Sequence, residues 1–448
     1  MAKSESRKAR QERLLREAAA LEVPGECDVM VIGGGASGLV AAITAAERGA
    51  SVTVIEHDLE CGRTILATGN GRCNFANIAL DPKRFNDPGF VHAVCGDRWL
   101  DDVLGFFRDC GMRWCLEDDR LYPMSRQAAS VRNVLLARAR RAGVVLAPAR
   151  DFQDVSWIKP EWVGTTDPAL HYDPARSTTQ PAGIAEVAHT MPLQPSGALL
   201  LPGARSVILA SGGEALPFIG NLGLTTTPRR PVLCPLACKA SPLAELDGRR
   251  AHVKALLTKA DSFFPSWQER GEVLFRPYGI SGIVTFDLSR RAETGDLVEL
   301  DLVPDLSKSQ LQQLVDQFAS GSFEPGCLDG VIDPVIASLL ERLARERWHV
   351  EWPEHDEPQT DSAALIALCK ALPLVVEGPT ETEHAQVTRG GLTNAQFDPA
   401  TLSSREHPWL YACGEALDVD ADCGGFNLAW AWKSGMVAGA AAADWALS

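Results

Sequence analysis

The run from Cys27 to Glu56 constrains this chain more than any other segment. It reads CDVMVI, then GGGASG, then a helical stretch from Leu39 to Arg48, then SVTVIE. A short β-branched strand thus enters a glycine turn, an Ala-rich helix follows, and a second strand ends in an acid. Gly33, Gly35 and Gly38 hold the G-x-G-x-x-G spacing, with Ala36 and Ser37 between them at the helix start. The first glycine permits the tight turn, the second lets backbone approach a pyrophosphate, and the third lets helix and strand pack closely. The helix N-terminus directs unpaired N–H groups and partial positive charge at that phosphate. Glu56 stands 18 residues after Gly38, where a carboxylate can accept hydrogen bonds from ribose hydroxyls. The segment predicts a dinucleotide-binding βαβ unit and, alone, does not separate FAD from NAD.

Two further segments bear on that choice. Residues 61–77, CGRTILATGNGRCNFAN, hold three glycines, two arginines and three asparagines with almost no periodicity. Such a stretch reads as a donor-rich loop, holding a polar ligand or simply forming a surface Ω-loop. More than 300 residues later comes WLYACGEALDVDADCGGFNLAWAWKSGMVAGAAAADWAL. A strand, Leu410 to Cys413, ends in Gly414-Glu415, and a small-residue helix begins near Asn427 after Gly424-Gly425. A strand ending in Gly-acid suits the ribityl and phosphate groups of FAD. A helix N-terminus suits the negative charge that a reduced flavin gathers at N1 and C2=O. Gly435, Ala438 and Gly439 would let this helix pack closely on the first βα unit.

GGGASG, GRTILATGNGRCNFAN, LYACGEALDVD and GGFNLAWAWKSG together resemble a family of bacterial flavoproteins, the aminoacetone oxidase-like or NAD(P)/FAD-dependent oxidoreductases. Some of its members are ribosomal RNA dihydrouridine synthases and others belong to bile-acid metabolism. RLYPMS (120–125), ILASGG (208–213), EVLFRPYGISG (272–282) and VTRGGL (387–392) extend the resemblance over most of the chain. It implies an α/β fold: a discontinuous Rossmann-type FAD-binding domain, an inserted β-barrel-like domain and a nested small helical domain. The corresponding boundaries are a charged extension over 1–24, the FAD domain over 25–215 and 380–448, the β-rich insert over 216–304 and 349–379, and helices over 305–348. The residues agree. After Gly213 come short strands and Pro-rich turns. From Asp305 the period turns helical, with Leu311, Leu314, Val315 and Phe318 on one face and Val335, Ile336, Leu339, Leu340 and Leu343 on another. A third short helix is expected from about Asp361 to Ala371.

Carried onto this sequence, the cofactor-binding residues are Gly33, Gly35, Ala36, Ser37, Gly38 and Glu56 in the first unit. Arg63, Thr68, Gly69, Asn70, Gly71, Arg72, Cys73 and Asn74 follow in the loop, and Ser211, Gly212 and Gly213 in the ILASGG turn. Gly414, Glu415, Asp418, Gly425, Phe426 and Asn427 complete the set. FAD is the expected cofactor, bound non-covalently, since no His or Cys attachment motif is evident. NAD(P)H is the expected transient donor, because the chain holds no second nucleotide fingerprint. The flavin is expected to face residues 68–77 and 278–282. Reduction of a C=C bond needs a proton donor, for which Cys73 and Tyr278 are the candidates; each could equally be a packing residue.

Composition narrows the rest. Twelve cysteines without a CxxC argue for reduced thiols and no metal site. No apolar run reaches the roughly 18 residues of a membrane span, and Met1 to Glu22 is a charged helical stretch rather than a signal peptide. A cytoplasmic protein with no membrane partner is expected. The net charge of −15 disfavours a broad nucleic-acid footprint. A local one stays open, because Arg229, Arg230, Lys239, Arg249, Arg250 and Lys254 fall close together. Three departures from the family pattern surround the substrate side: a short connection after ILASGG, Arg276-Pro277 where the family has Thr-His, and a Pro/Thr/Ser-rich stretch, 151–200, suited to partial disorder. The function classes are therefore an NAD(P)H-dependent flavin reductase of a C=C bond, with ribosomal RNA uridine as the most concrete substrate, a small-molecule amine oxidase using O2, and a non-catalytic flavin-binding or redox-sensing protein.

Overall fold

A computed structural model describes residues 5–150, 154–156, 169–172, 199–200, 203–214, 216–239, 242–319, 326–348 and 360–448. The expectation for 151–200 falls almost wholly outside them. The chain forms two compact units, one from residues 1–230 and 387–448, the other from 231–386. Sequence reading places the corresponding divisions at 215/216 and 379/380.

The first unit is built on a five-stranded parallel sheet in the order Leu410–Ala412, Gly203–Leu209, Glu26–Ile32, Val52–Ile55, Val145–Ala147. Its strands are near-continuous apolar runs, as a sheet covered on both faces requires. Met30, Val31, Val54, Ile208 and Leu410 are fully buried or nearly so. The first helix after the glycine turn, Ala36–Glu47, packs on the last helix, Phe426–Leu447. Small residues allow it: a Cβ on Gly435 would lie 2.5 Å from the Ser37 carbonyl oxygen, and one on Gly439 2.3 Å from that of Ala41. The N-terminal extension is a helix, Arg7–Ala20, opened by Ser6, whose side chain accepts from the Ala9 N–H.

The second unit is a closed antiparallel barrel in the order Leu236–Cys238, Gly279–Ser281, Pro265–Arg276, Arg250–Thr258, Leu297–Asp301, Leu372–Pro379. Helices Lys308–Ala319, Pro334–Arg345 and Asp361–Lys370 share its apolar cluster, in which Val253, Phe275 and Leu300 of the barrel join Leu311, Ile336, Leu340 and Cys369 of the helices. The expected switch from strand to helical period at 305 is thus present. Among the described residues no helix is long and apolar enough to cross a membrane, and no His/Cys/Asp/Glu group could hold a metal ion.

Candidate functional site

Strands 26–32, 203–209 and 410–412 are neighbours in the sheet, and the turns at their carboxyl ends carry the residues singled out by sequence. In open parallel sheets this is the edge where ligands bind. Gly33 has φ of 104°, and a Cβ there would meet the Ala210 carbonyl oxygen at 2.3 Å. A Cβ on Gly38 would lie 1.9 Å from the Gly33 oxygen. Gly35 is different. A Cβ at Gly35 would meet only Thr64 Oγ1, at 3.5 Å. Gly35 begins the helix without a side-chain cap, so the first-turn N–H groups of Ala36, Ser37 and Gly38 open onto space rather than onto a protein acceptor.

Glu56 is tied down more than sequence suggests. Its carboxylate accepts from the backbone N–H groups of Gly34 and Asp58, each at 2.6 Å, and burial raises its pKa. The two bonds shape the turn around Gly34 and leave further lone pairs for ribose hydroxyls.

The loop 61–77 contains a kinked 3-10 segment, Thr64–Gly71, broken where Gly69 and Asn70 adopt positive φ. Arg63 pairs with Asp58 at 2.7 Å. Arg72 pairs with Glu117 at 2.6 Å and stacks over the Tyr122 ring. The Thr68 hydroxyl donates to the Ile65 carbonyl oxygen, and Gly71 also has positive φ. Cys73 has no exposed surface, and burial pushes its thiol up to about 11. The loop docks on the last helix, since Trp432 Nε1 donates to the Phe75 carbonyl oxygen at 2.8 Å and Asn77 Nδ2 to that of Gly424 at 3.0 Å. Asn74 Oδ1 is buried without a hydrogen-bond partner, at the entry to that helix. A Cβ on Gly425 would come within 2.7 Å of it.

The other end of the chain closes the cradle. Gly414 has positive φ, and a Cβ there would strike Ser37 Oγ at 2.4 Å. The Glu415 carboxylate accepts from the Thr388 N–H, and burial pushes its pKa up to about 7. Gly213 lies between these groups, since its Cβ would sit 2.3 Å from Thr388 Oγ1 and 3.0 Å from Glu415 Oε1. In the same turn Gly212 has positive φ, and Ser211 Oγ donates to the Glu214 carbonyl oxygen. Asp418 accepts from the Gly390 N–H and Asn86 Nδ2, both at 3.1 Å. Asn427 bonds both backbone groups of Ala421, and Phe426 is buried edge-on to Phe85. These last three shape the turn that aims the helix.

Tyr278 belongs to the barrel unit. It is half-buried, its phenol pKa is raised by burial and by Glu381, and the Arg276 guanidinium lies 5.8 Å from the centre of its ring. The six clustered cations do not form one free patch. Arg229 and Arg230 lie on the strand Thr226–Val232 of a two-stranded sheet, while Arg249 pairs with Asp333 at 3.4 Å and Arg250 with Glu272.

Sequence reading missed how VTRGGL contributes. Arg389 makes a two-pronged pair with the fully buried Asp420, at 2.7 and 3.1 Å, and joins this strand to the turn before the last helix. An arginine within a glycine-rich strand was the available signal. The residues fit FAD: an uncapped helix facing open space at Gly35, the Glu56 carboxylate at the end of the next strand, and an orphaned amide oxygen where the second helix begins.

Both ends of the chain therefore complete one dinucleotide cradle, which defines a Rossmann-type flavoprotein of the oxidoreductase class. The family described as HI0933-like protein Rossmann domain matches residues 27–167 and 200–441, and the chain belongs to it. It is 32% identical to a 3-dehydro-bile acid delta(4,6)-reductase of Clostridium scindens, over 92% of this chain and 98% of that one. A ribosomal RNA dihydrouridine synthase of Escherichia coli is 23% identical, over 91% and 96%. Among solved structures, a 3-ketosteroid-delta4-(5alpha)-dehydrogenase from Rhodococcus jostii is similar at a TM-score of 0.44 and 14% identity, over 95% of this chain and 98% of that one.

Proposed function

We propose that the protein binds FAD non-covalently in this cradle and reduces a C=C bond conjugated to a carbonyl, on a small and largely apolar substrate, with NAD(P)H as electron donor. The observation that carries the reading is the two-ended cradle, with Gly35 at one helix N-terminus and Asn74 at the other. The bound flavin supplies hydride transfer. The chain holds the nucleotide at Gly35–Gly38 and Glu56, and directs the N-terminus of the last helix at developing negative charge.

The relatives' names support the bond type, because both describe loss of a double bond. A small substrate is favoured over RNA by the higher identity to the bile-acid enzyme and by the pairing of Arg249 and Arg250 with carboxylates. The RNA reading keeps one support, a relationship along nearly the whole of both chains. The two proton-donor candidates differ in access. The thiol of Cys73 is sealed, whereas Tyr278 keeps exposed surface and a raised pKa that holds its proton at neutral pH. We assign the donor role to Tyr278.

Anaerobic flavin bleaching tests the reading. NAD(P)H should bleach the purified protein, and a 3-oxo-Δ4 steroid should restore its color faster than ribosomal RNA does. Tyr278→Phe should slow reoxidation by 10²–10⁴-fold while leaving bleaching unchanged. Bleaching by an amine instead would establish the oxidase reading, and restoration only by RNA would establish the RNA one.

A further inference from the structure

Arg229 lies on the strand Thr226–Val232, which pairs with Val387–Leu392 in the two-stranded sheet. The strands are held close at Gly390, where a Cβ would meet the Pro228 carbonyl oxygen at 2.3 Å. The second strand contributes Thr388, whose N–H donates to Glu415 and whose hydroxyl abuts Gly213. Three pieces of the fold thus converge: the Gly213 turn, the Gly414-Glu415 turn, and this ribbon. Each of the two turns ends a strand of the parallel sheet, at its ligand-binding edge.

The arginine has an unusual status there. Its Nε is buried with no hydrogen-bond partner, and among the described residues it makes no ion pair. Glu415 is its electrostatic neighbour but not its salt-bridge partner. The residue as a whole stays part-exposed while its Nε is covered, and a guanidinium holds its donors in a fixed fork and cannot shed its charge. A buried donor left without an acceptor carries its desolvation cost uncompensated. The covered Nε thus has no protein acceptor, and an adjacent carboxylate acceptor and guanidinium donor suit a ligand rich in both hydroxyls and acceptor oxygens. That is the chemistry of a ribityl chain with its phosphate and ring carbonyls.

We propose that Arg229 is a cofactor-binding residue, donating to acceptor oxygens of FAD next to Glu415. This rests on the FAD reading above and adds a residue from outside the glycine motifs.

The test uses the full-length protein with its flavin. Arg229→Met and Arg229→Lys are compared with wild type for FAD content as purified, for FAD release on dilution (followed by recovery of flavin fluorescence), for flavin midpoint potential and for thermal unfolding. Arg229→Met should weaken FAD binding at least tenfold, and Arg229→Lys should recover part of the loss. A lowered potential alongside the weaker binding places the contact at the flavin ring, whose reduced form loses a cation. Weaker binding at unchanged potential places it at the ribityl or phosphate oxygens. FAD affinity and potential equal to wild type in Arg229→Met overturn the proposal, as does a variant that keeps its FAD and loses only substrate affinity. Lower FAD content accompanied by an equal loss of affinity in Arg229→Lys and a collapsed unfolding transition would make the residue structural and also overturn it. A wild-type protein that takes up no FAD overturns the cofactor reading instead.

Discussion

Glu415 shows how a candidate site residue can be legible in sequence while its environment is not. Its position after a strand and a glycine marks it as a candidate ligand contact. What sequence could not supply is its environment: burial beside Thr388, offset only in part by the Thr388 hydrogen bond and the Arg229 charge, pushes the carboxyl pKa up to about 7. The sign of the linkage follows. A carboxyl pKa raised on folding favours the neutral form, so its stabilising contribution is complete below about pH 4.5 and is lost as pH rises through about 7. Protein freed of flavin should therefore be less stable at pH 8 than at pH 5 by up to about 3 kcal/mol from this group alone. Glu415→Gln should remove that part of the slope, as read by urea denaturation at the two pH values. An unchanged slope would mean that Glu415 is solvated.

At the scale of elements, the site depends on two helices packed through small residues. Ala36–Glu47 presents the first N-terminus and Phe426–Leu447 the second, and their separation is fixed where Gly435 and Gly439 meet the backbone of Ser37 and Ala41. Gly439→Leu would force a side chain into the Ala41 carbonyl. It should destabilise the protein by on the order of 3 kcal/mol and lower FAD content, measured by thermal unfolding and flavin absorbance. Substitution of Gly49 by Ala is the contrasting case. There a Cβ meets nothing within 4 Å, and only the positive φ of 100° opposes it, so FAD content should stay at the wild-type level.

On the scale of the whole molecule, the two units have separate apolar clusters and different dependence on chain continuity. The second is contiguous from 231 to 386, closes its own barrel and shares its core with three helices. Expressed alone, residues 231–386 should unfold cooperatively and take up no flavin, as seen by circular dichroism melting and flavin fluorescence. The first unit needs both its segments, because strand 410–412 and the last helix complete its sheet and cradle.

Much of this was readable in one dimension. Periodicity and glycine spacing reflect local constraints: a φ that only glycine tolerates at Gly33, a strand with both faces buried, a helix begun at an uncapped turn. Those constraints act over a few residues, so the glycine fingerprint, the loop at 61–77 and the strand-Gly-Glu turn pointed to the cradle from sequence. The placement of Arg389 on Asp420, of Glu56 on the amides of Gly34 and Asp58, and of Arg249 and Arg250 on carboxylates was decided by the tertiary structure. Ion-pair and hydrogen-bond partners are chosen by proximity in space, and a count of nearby cations along the chain carries no information about which acid each will meet. The burial of Cys73 and the orphaned nitrogen of Arg229 have the same origin. Whether a side chain is sealed or left waiting depends on elements hundreds of residues apart that only the folded chain brings together.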